Sequence, residues 1–256
     1  MMTQRLLIVL TTFLVIGLVA FAIVGNSWAN RPQTYTPQGP GEVYLALGDS
    51  LPWGFRLDDR QQDSFPGLIV ASLGSSASLE LVNLAVPGET SSSFVASQLP
   101  RALAYLREVR AQGRSVSPIT LTIGGNDLIR VERASAPERA EAIQRFQRNL
   151  AAALDQLRAA AGAQADLAVM TYYNPYGGDP ALEGSDAYWV ERLNQVIRAE
   201  AGRRGVAVAE VYTAFVGGRE YTHTFALFDD VHANAQGHRL IAETFLQALS
   251  YETVQR

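Results

Sequence analysis

The sequence predicts a three-layer α/β fold, a parallel sheet sandwiched between helices. Two observations predict it. Five short apolar runs alternate with longer stretches of helical periodicity, and such alternation is the pattern of strands joined by helical crossovers. The runs are largely apolar rather than alternating, as strands covered on both faces are. In open sheets of this class ligands bind beyond the carboxyl ends of the strands, so the segments after each strand carry the functional information.

The chain of 256 residues opens on Arg5 and a nearly unbroken apolar run from Leu6 to Gly25, followed by the small-x-small step Ser27-Trp28-Ala29. This is the pattern of a signal peptide cleaved after Ala29. The run also approaches the roughly 20 residues that span a bilayer, so an uncleaved anchor, with residues 6–25 as a membrane tether, stays open beside it. A buried core helix suits the position and flanks less well. Both leading readings place the rest of the chain outside the cytoplasm, secreted or membrane-anchored. Residues 30–41, with three prolines and little that is apolar, read as a linker. The remainder, residues 42–252, is long enough for one sizeable core.

The strands are expected at Val43–Leu47, Leu79–Leu84, Ile119–Ile123, Leu167–Thr171 and Val206–Val211. The clearest helix runs from Ala136 to Ala161, where Ile143, Phe146, Leu150, Leu154 and Leu157 form one apolar stripe. Ser135 and Glu138 give it a capping-box start. A last helix near Ala235–Leu249 carries Leu240, Ile241, Phe245 and Leu249.

Composition excludes several classes of function. Net charge is −4 with no basic tract, so the electrostatic footprint of a nucleic-acid partner is missing. All 21 basic residues are arginine, to which we attach no function. With no cysteine, disulfides, thiolate catalysis and zinc–cysteine sites are excluded. The motifs Gly-x-Gly-x-x-Gly and His-Glu-x-x-His are absent, and nothing supports a metal or redox cofactor.

Four polar or glycine-rich segments fall after the strands: Gly48-Asp49-Ser50-Leu51, Asn83 to Gly88, Gly124-Gly125-Asn126-Asp127, and Asp229-Asp230-Val231-His232. Each alone makes a competent turn. Together they supply every role of acyl transfer once. A serine hydroxyl needs a base to take its proton, and histidine is suited to that near neutral pH. An aspartate three residues before His232 can hold one ring nitrogen and leave the other facing Ser50. The developing oxyanion needs donors, which the backbone N–H groups of Ser50 and Gly88 and the carboxamide of Asn126 can offer. Of the other histidines, His223 and His238 read as structural. Pro52 stands where a Gly-x-Ser-x-Gly elbow needs its second glycine, which excludes the α/β-hydrolase arrangement.

On these four blocks, in order from Val43 to Leu249, the sequence resembles the GDSL or SGNH hydrolases. The resemblance implies a flavodoxin-like fold with a five-stranded parallel sheet and a carboxylic ester hydrolase without cofactor. It implies Ser50 as nucleophile, His232 as base, Asp229 as the residue that orients it, and an oxyanion hole of Ser50, Gly88 and Asn126. Two departures stand out. Ala233 replaces the proline that usually follows the histidine, and Asp230 sits beside Asp229 as a competitor for the imidazole; spacing favours Asp229.

Trp53, Tyr173 and Asn174 are candidates to line the substrate pocket, with plain packing as the competing account of the aromatics. The ester expected is a short-chain acyl ester or an acetylated saccharide, or a lysophospholipid for a tethered form. Two other functions stay open: a binding module of the same fold without catalysis, and an acyltransferase in which an alcohol replaces water.

Overall fold

Five parallel strands form one sheet in the order β2-β1-β3-β4-β5, as shown by a computed structural model that describes residues 32–74 and 79–252. The expected signal or anchor segment lies outside the described residues. In chain order the elements are β1 (Val43–Gly48), α1 (Ser50–Trp53), α2 (Phe65–Leu73), β2 (Glu80–Asn83), α3 (Leu99–Ala111) and β3 (Val116–Thr122). Then follow α4 (Gly125–Ile129), α5 (Ala136–Ala161), β4 (Leu167–Met170), α6 (Asp186–Gly202), β5 (Ala207–Ala209) and α7 (Ala235–Leu249).

The apolar runs become strands because both faces of the sheet are covered. Every residue of β1, β3 and β4 is buried, while α7 packs against α2, β4 and β5, and α5 packs against α3 and α6. β2 differs from the expectation of a central strand. It lies at the sheet edge, pairs only with β1 among the described residues, and leaves Glu80 and Asn83 exposed. β3 begins three residues earlier than its apolar run. Between Val43↔Val116 and Leu45↔Ile119 its register slips by one residue, and this irregularity accommodates Pro118, which has no N–H for the ladder.

Helix α5 has the expected bounds. The Glu138 carboxylate reaches back to accept the Ser135 N–H at 2.9 Å and hydroxyl at 2.6 Å, so it caps the first turn. Its stripe of Phe146, Leu150, Leu154 and Leu157 is buried in the core.

The expected linker is only partly free. Residues 35–41 are fastened to the amino-terminal end of the sheet. The buried Asp166, just before β4, accepts the Tyr35 hydroxyl at 2.7 Å and the N–H groups of Gln38 at 3.0 Å and Gly39 at 2.8 Å. The Gly41 N–H reaches Ser117 O at 2.8 Å. The functional loops leave from the other end of the strands.

Candidate active site

β1 ends in Gly48 because nothing larger fits. Its φ is +129°, and a Cβ there would stand 2.0 Å from the Thr122 carbonyl oxygen of β3. The chain then turns sharply into α1. Asp49 caps that helix by accepting the Leu51 N–H at 3.0 Å, which sets Ser50 at the first helical position. There the Ser50 N–H has no partner four residues back and stays available.

Asp49 itself is buried and accepts from Thr122 Oγ1 at 3.1 Å and from the Tyr172 hydroxyl. Burial raises its carboxyl above the usual range despite the bonds from Tyr172, Leu51 and Thr122 that oppose the shift. This carboxylate supports the nucleophile's turn and does not face the imidazole as a partner. Gln98, fully buried, completes the turn: its Oε1 accepts Gly48 N–H at 2.7 Å and its Nε2 donates to Gly48 O at 2.9 Å.

The second and third blocks meet at Asn126, which lines one cavity with Ser50, while Gly88 is not among the residues lining it. Gly88 adopts φ +79°, a left-handed conformation that favours glycine. Asn126 donates one carboxamide N–H to Glu89 O at 2.9 Å, next to Gly88, and its second N–H is left for a ligand. Asp127, buried, accepts the Ser91 N–H at 2.7 Å and hydroxyl at 2.6 Å, so the two blocks are tied together behind the site. Burial raises the Asp127 carboxyl, outweighing those two bonds.

His232 arrives on the last loop. Segments on either side pair through an antiparallel bridge between Thr224 and Ala233, and Phe225 N–H donates to His232 O at 2.9 Å. Asn234 then caps α7, accepting from Gln236 and Gly237 N–H at 3.0 and 3.1 Å. So placed, His232 Nε2 lies 2.9 Å from Ser50 Oγ.

The carboxylate on the other ring nitrogen is not the one that spacing favours. Asp230 Oδ1 lies 2.5 Å from His232 Nδ1 and also accepts the His232 N–H at 3.0 Å. Asp229 is exposed, has φ +59°, ends the short 226–228 turn, and makes no hydrogen bond to the ring among the described residues. The contact expected of Asp229 is made by Asp230 instead. Burial raises the Asp230 carboxyl, but His232 and Arg56, whose Nε donates to its Oδ2 at 2.7 Å, more than offset this and leave it below the ordinary value.

Ser50 and His232 open on a cavity of about 90 Å³. Its walls are mostly apolar: Leu128 and Ile129 from α4, Pro175 and Tyr176 after β4, Val190 and Leu193 from α6. Tyr173 lines it as expected, and its hydroxyl donates to Val231 O at 2.7 Å. Trp53 and Asn174 do not. Trp53 faces a separate groove beneath the Arg60 guanidinium, 3.8 Å from its ring centre. Asn174 spends its carboxamide on its own turn, bonding Gly177 O and Tyr176 N–H, and borders a second groove. Among the described residues no three His, Asp or Glu side chains gather to hold a metal ion.

Residues 46–240 match the model of the GDSL-like Lipase/Acylhydrolase family, three-quarters of the chain. The chain belongs to that family. As a member it is a carboxylic ester hydrolase. Solved structures with the same fold include Axe2, an acetylxylan esterase from Geobacillus stearothermophilus, at 18% identity and TM-score 0.63, covering 85% of this chain and 98% of that one. The lipase Lip_vut3 from a goat rumen metagenome is 23% identical with TM-score 0.63, covering 80% and 96%. TesA is 20% identical with TM-score 0.60, covering 81% and 97%. No curated protein matches the sequence. Sequence reasoning missed Asp230 as the imidazole's partner, and it missed Phe55, Arg56 and Gln98 altogether. Only Asp230 left a signal, its place beside Asp229.

Proposed function

We propose that this GDSL-family hydrolase cleaves short-chain acyl esters through an acyl-Ser50 intermediate. The observation that carries the proposal is the line Ser50 Oγ, His232 Nε2 and Nδ1, Asp230 Oδ1, with gaps of 2.9 and 2.5 Å. A carboxylate on Nδ1 fixes the tautomer that leaves Nε2 as acceptor toward the serine. Ser50 Oγ attacks the ester carbonyl as its proton passes to His232 Nε2. The Ser50 and Gly88 N–H groups and the free Asn126 N–H receive the oxyanion. Collapse expels the alcohol, which takes the proton from Nε2. Water, deprotonated by the same nitrogen, then attacks the acyl-serine and releases the acid.

The short acyl chain is argued from the cavity. At about 90 Å³ it is smaller than the roughly 150 Å³ that holds a benzene ring, and its walls are apolar. An acetylated saccharide, the substrate class of the acetylxylan esterase Axe2, fits the same acyl size. We further propose, from the apolar run before the domain, that it acts outside the cytoplasm.

The test is hydrolysis of p-nitrophenyl esters from acetyl to dodecanoyl by a chain beginning at Pro32, beside Ser50→Ala. The expected outcome is activity greatest on acetyl to butyryl esters and absent from the variant. Equal rates in both proteins would reject the serine mechanism. A maximum at dodecanoyl would reject the short-acyl reading alone.

A further inference from the structure

We propose that Arg56 is a positioning residue for the base, acting on His232 through Asp230; the proposal rests on the serine–histidine mechanism above. Three observations meet at this corner of the site.

First, both oxygens of Asp230 are engaged, and by different elements. Oδ1 serves the His232 ring and backbone, while Oδ2 takes the Arg56 Nε at 2.7 Å. A carboxylate held only through Oδ1 can still swing about its Cβ–Cγ bond. A second donor from a fixed direction removes that freedom and aims Oδ1 at Nδ1.

Second, Arg56 stands on the turn that carries the nucleophile. The Phe55 N–H donates to Ser50 O at 3.0 Å, the Phe55 ring lies 4.5 Å from the His232 imidazole at a 41° tilt, and the Arg56 guanidinium sits 5.6 Å from the Phe55 ring centre. Hydroxyl, ring cover and carboxylate clamp therefore come from seven consecutive residues, Ser50 to Arg56. On the nucleophile's side, the contacts that meet the base and its carboxylate come from one local unit.

Third, the backbone bends where the clamp needs it. Among the described residues other than glycine, only Arg56, Asp229 and Ser250 have positive φ. Arg56 at +72° and Asp229 at +59° flank this contact from its two sides. Such conformations disfavour residues with a Cβ and persist where the surroundings hold them.

Two effects of the guanidinium oppose each other. It orients Asp230, and its positive charge disfavours the imidazolium that forms during attack. Arg56 is 57% exposed and Asp230 14%, so solvent screens the longer-range repulsion more than it weakens the direct bond. Orientation wins.

The experiment is a double-mutant cycle with Arg56→Ala and Asp230→Asn, read as kcat and KM on p-nitrophenyl acetate, with thermal melts to confirm folding. Arg56→Ala alone is expected to lower kcat about five- to twentyfold with KM within twofold, a charge-assisted bond discounted for exposure. In the Asp230→Asn background the same change should alter kcat less than twofold, because the group it acts through is gone. Arg56→Lys, which keeps a donor and a charge, should recover part of the loss. Equal factors in both backgrounds, or a single variant within twofold of wild type, overturn the proposal. Ser50→Ala separates the two failures: if it is inactive while Arg56→Ala is unimpaired, the serine mechanism stands and the positioning role falls.

Discussion

Two adjacent aspartates in the same loop differ in chemistry because of one backbone angle. At φ +59° Asp229 ends a tight turn and faces solvent, which delivers the next residue, Asp230, to the imidazole. Asp230→Asn is therefore expected to lower kcat by about 10³–10⁴, the cost of the wrong tautomer and lost charge in comparable triads. Asp229→Asn should stay within a few-fold of wild type. Steady-state rates on one ester decide between them, and the reverse ranking would return the role to Asp229. Asn126 poses a separate question at the same scale. Its carboxamide binds Glu89 O with one N–H only, so Asn126→Ala should remove one oxyanion donor and lower kcat about 10²–10³ with folding intact. A loss within a few-fold, measured with an unchanged melting temperature, would place Asn126 outside the hole.

The last helix shows how an element ties the site to stability. α7 starts from the Asn234 cap two residues after His232, and one turn in it buries His238 completely. The Phe65 N–H donates to His238 Nδ1 at 3.2 Å, which puts the ring proton on Nε2, an atom with no partner among the described residues. Burial, aided by the charge of His232, lowers this histidine to about 4. Between about 6.5 and 4 the unfolded chain thus binds a proton that the native state refuses. The resulting stability is complete above 6.5 and lost as pH falls, by about 3 kcal/mol over the window. Denaturant unfolding at pH 7 and pH 4.5 should show His238→Gln losing less stability than wild type over that step. The raised carboxyls of Asp49 and Asp127 act in the opposite sense in both proteins, so the difference isolates His238. Equal losses would mean that the ring takes up its proton in the native state as readily as in the unfolded chain. Elements of this kind were largely legible in the sequence, because apolar runs and a helical stripe report burial directly. α5 is readable in the sequence, since Ser135 and Glu138 mark its start and the apolar stripe runs to Leu157. What composition conceals is direction. Trp53 was expected at the pocket but lies on the other side of α1 under Arg60, and Asn174 closes its own turn. Asp229 fitted the spacing, but a left-handed residue in the loop moved the contact by one position.

On the scale of the whole domain, the chemistry and the fastening stand at opposite ends of the sheet. Loops beyond the carboxyl ends of the strands build the site, Ser50 after β1, Asn126 after β3, Tyr173 after β4 and His232 after β5, while Asp166 at the amino end gathers both termini of the domain. It accepts Tyr35, Gln38 and Gly39 from one terminus and the Tyr251 hydroxyl, at 2.8 Å, from the other. Prolines and polar residues made residues 30–41 read as a linker, because nothing local shows that a buried carboxylate more than a hundred residues away needs their donors. A chain beginning at Glu42 would leave Asp166 with Tyr251 as its remaining side-chain donor. Under-satisfying a buried carboxylate costs about 1–3 kcal/mol, and the lost packing of Tyr35 adds to it. For a domain of this size that corresponds to a melting temperature about 5–10 °C below that of a chain beginning at Pro32. The site, held by its own bonds to β1 and β3, should keep kcat within about twofold below the transition, since distant changes without shared partners add independently. A lowered melting temperature with unchanged turnover would establish residues 35–41 as part of the domain's framework. An unchanged melting temperature would restore them to the status of a linker, and a large loss of kcat at 25 °C would show that the two ends of the sheet are coupled.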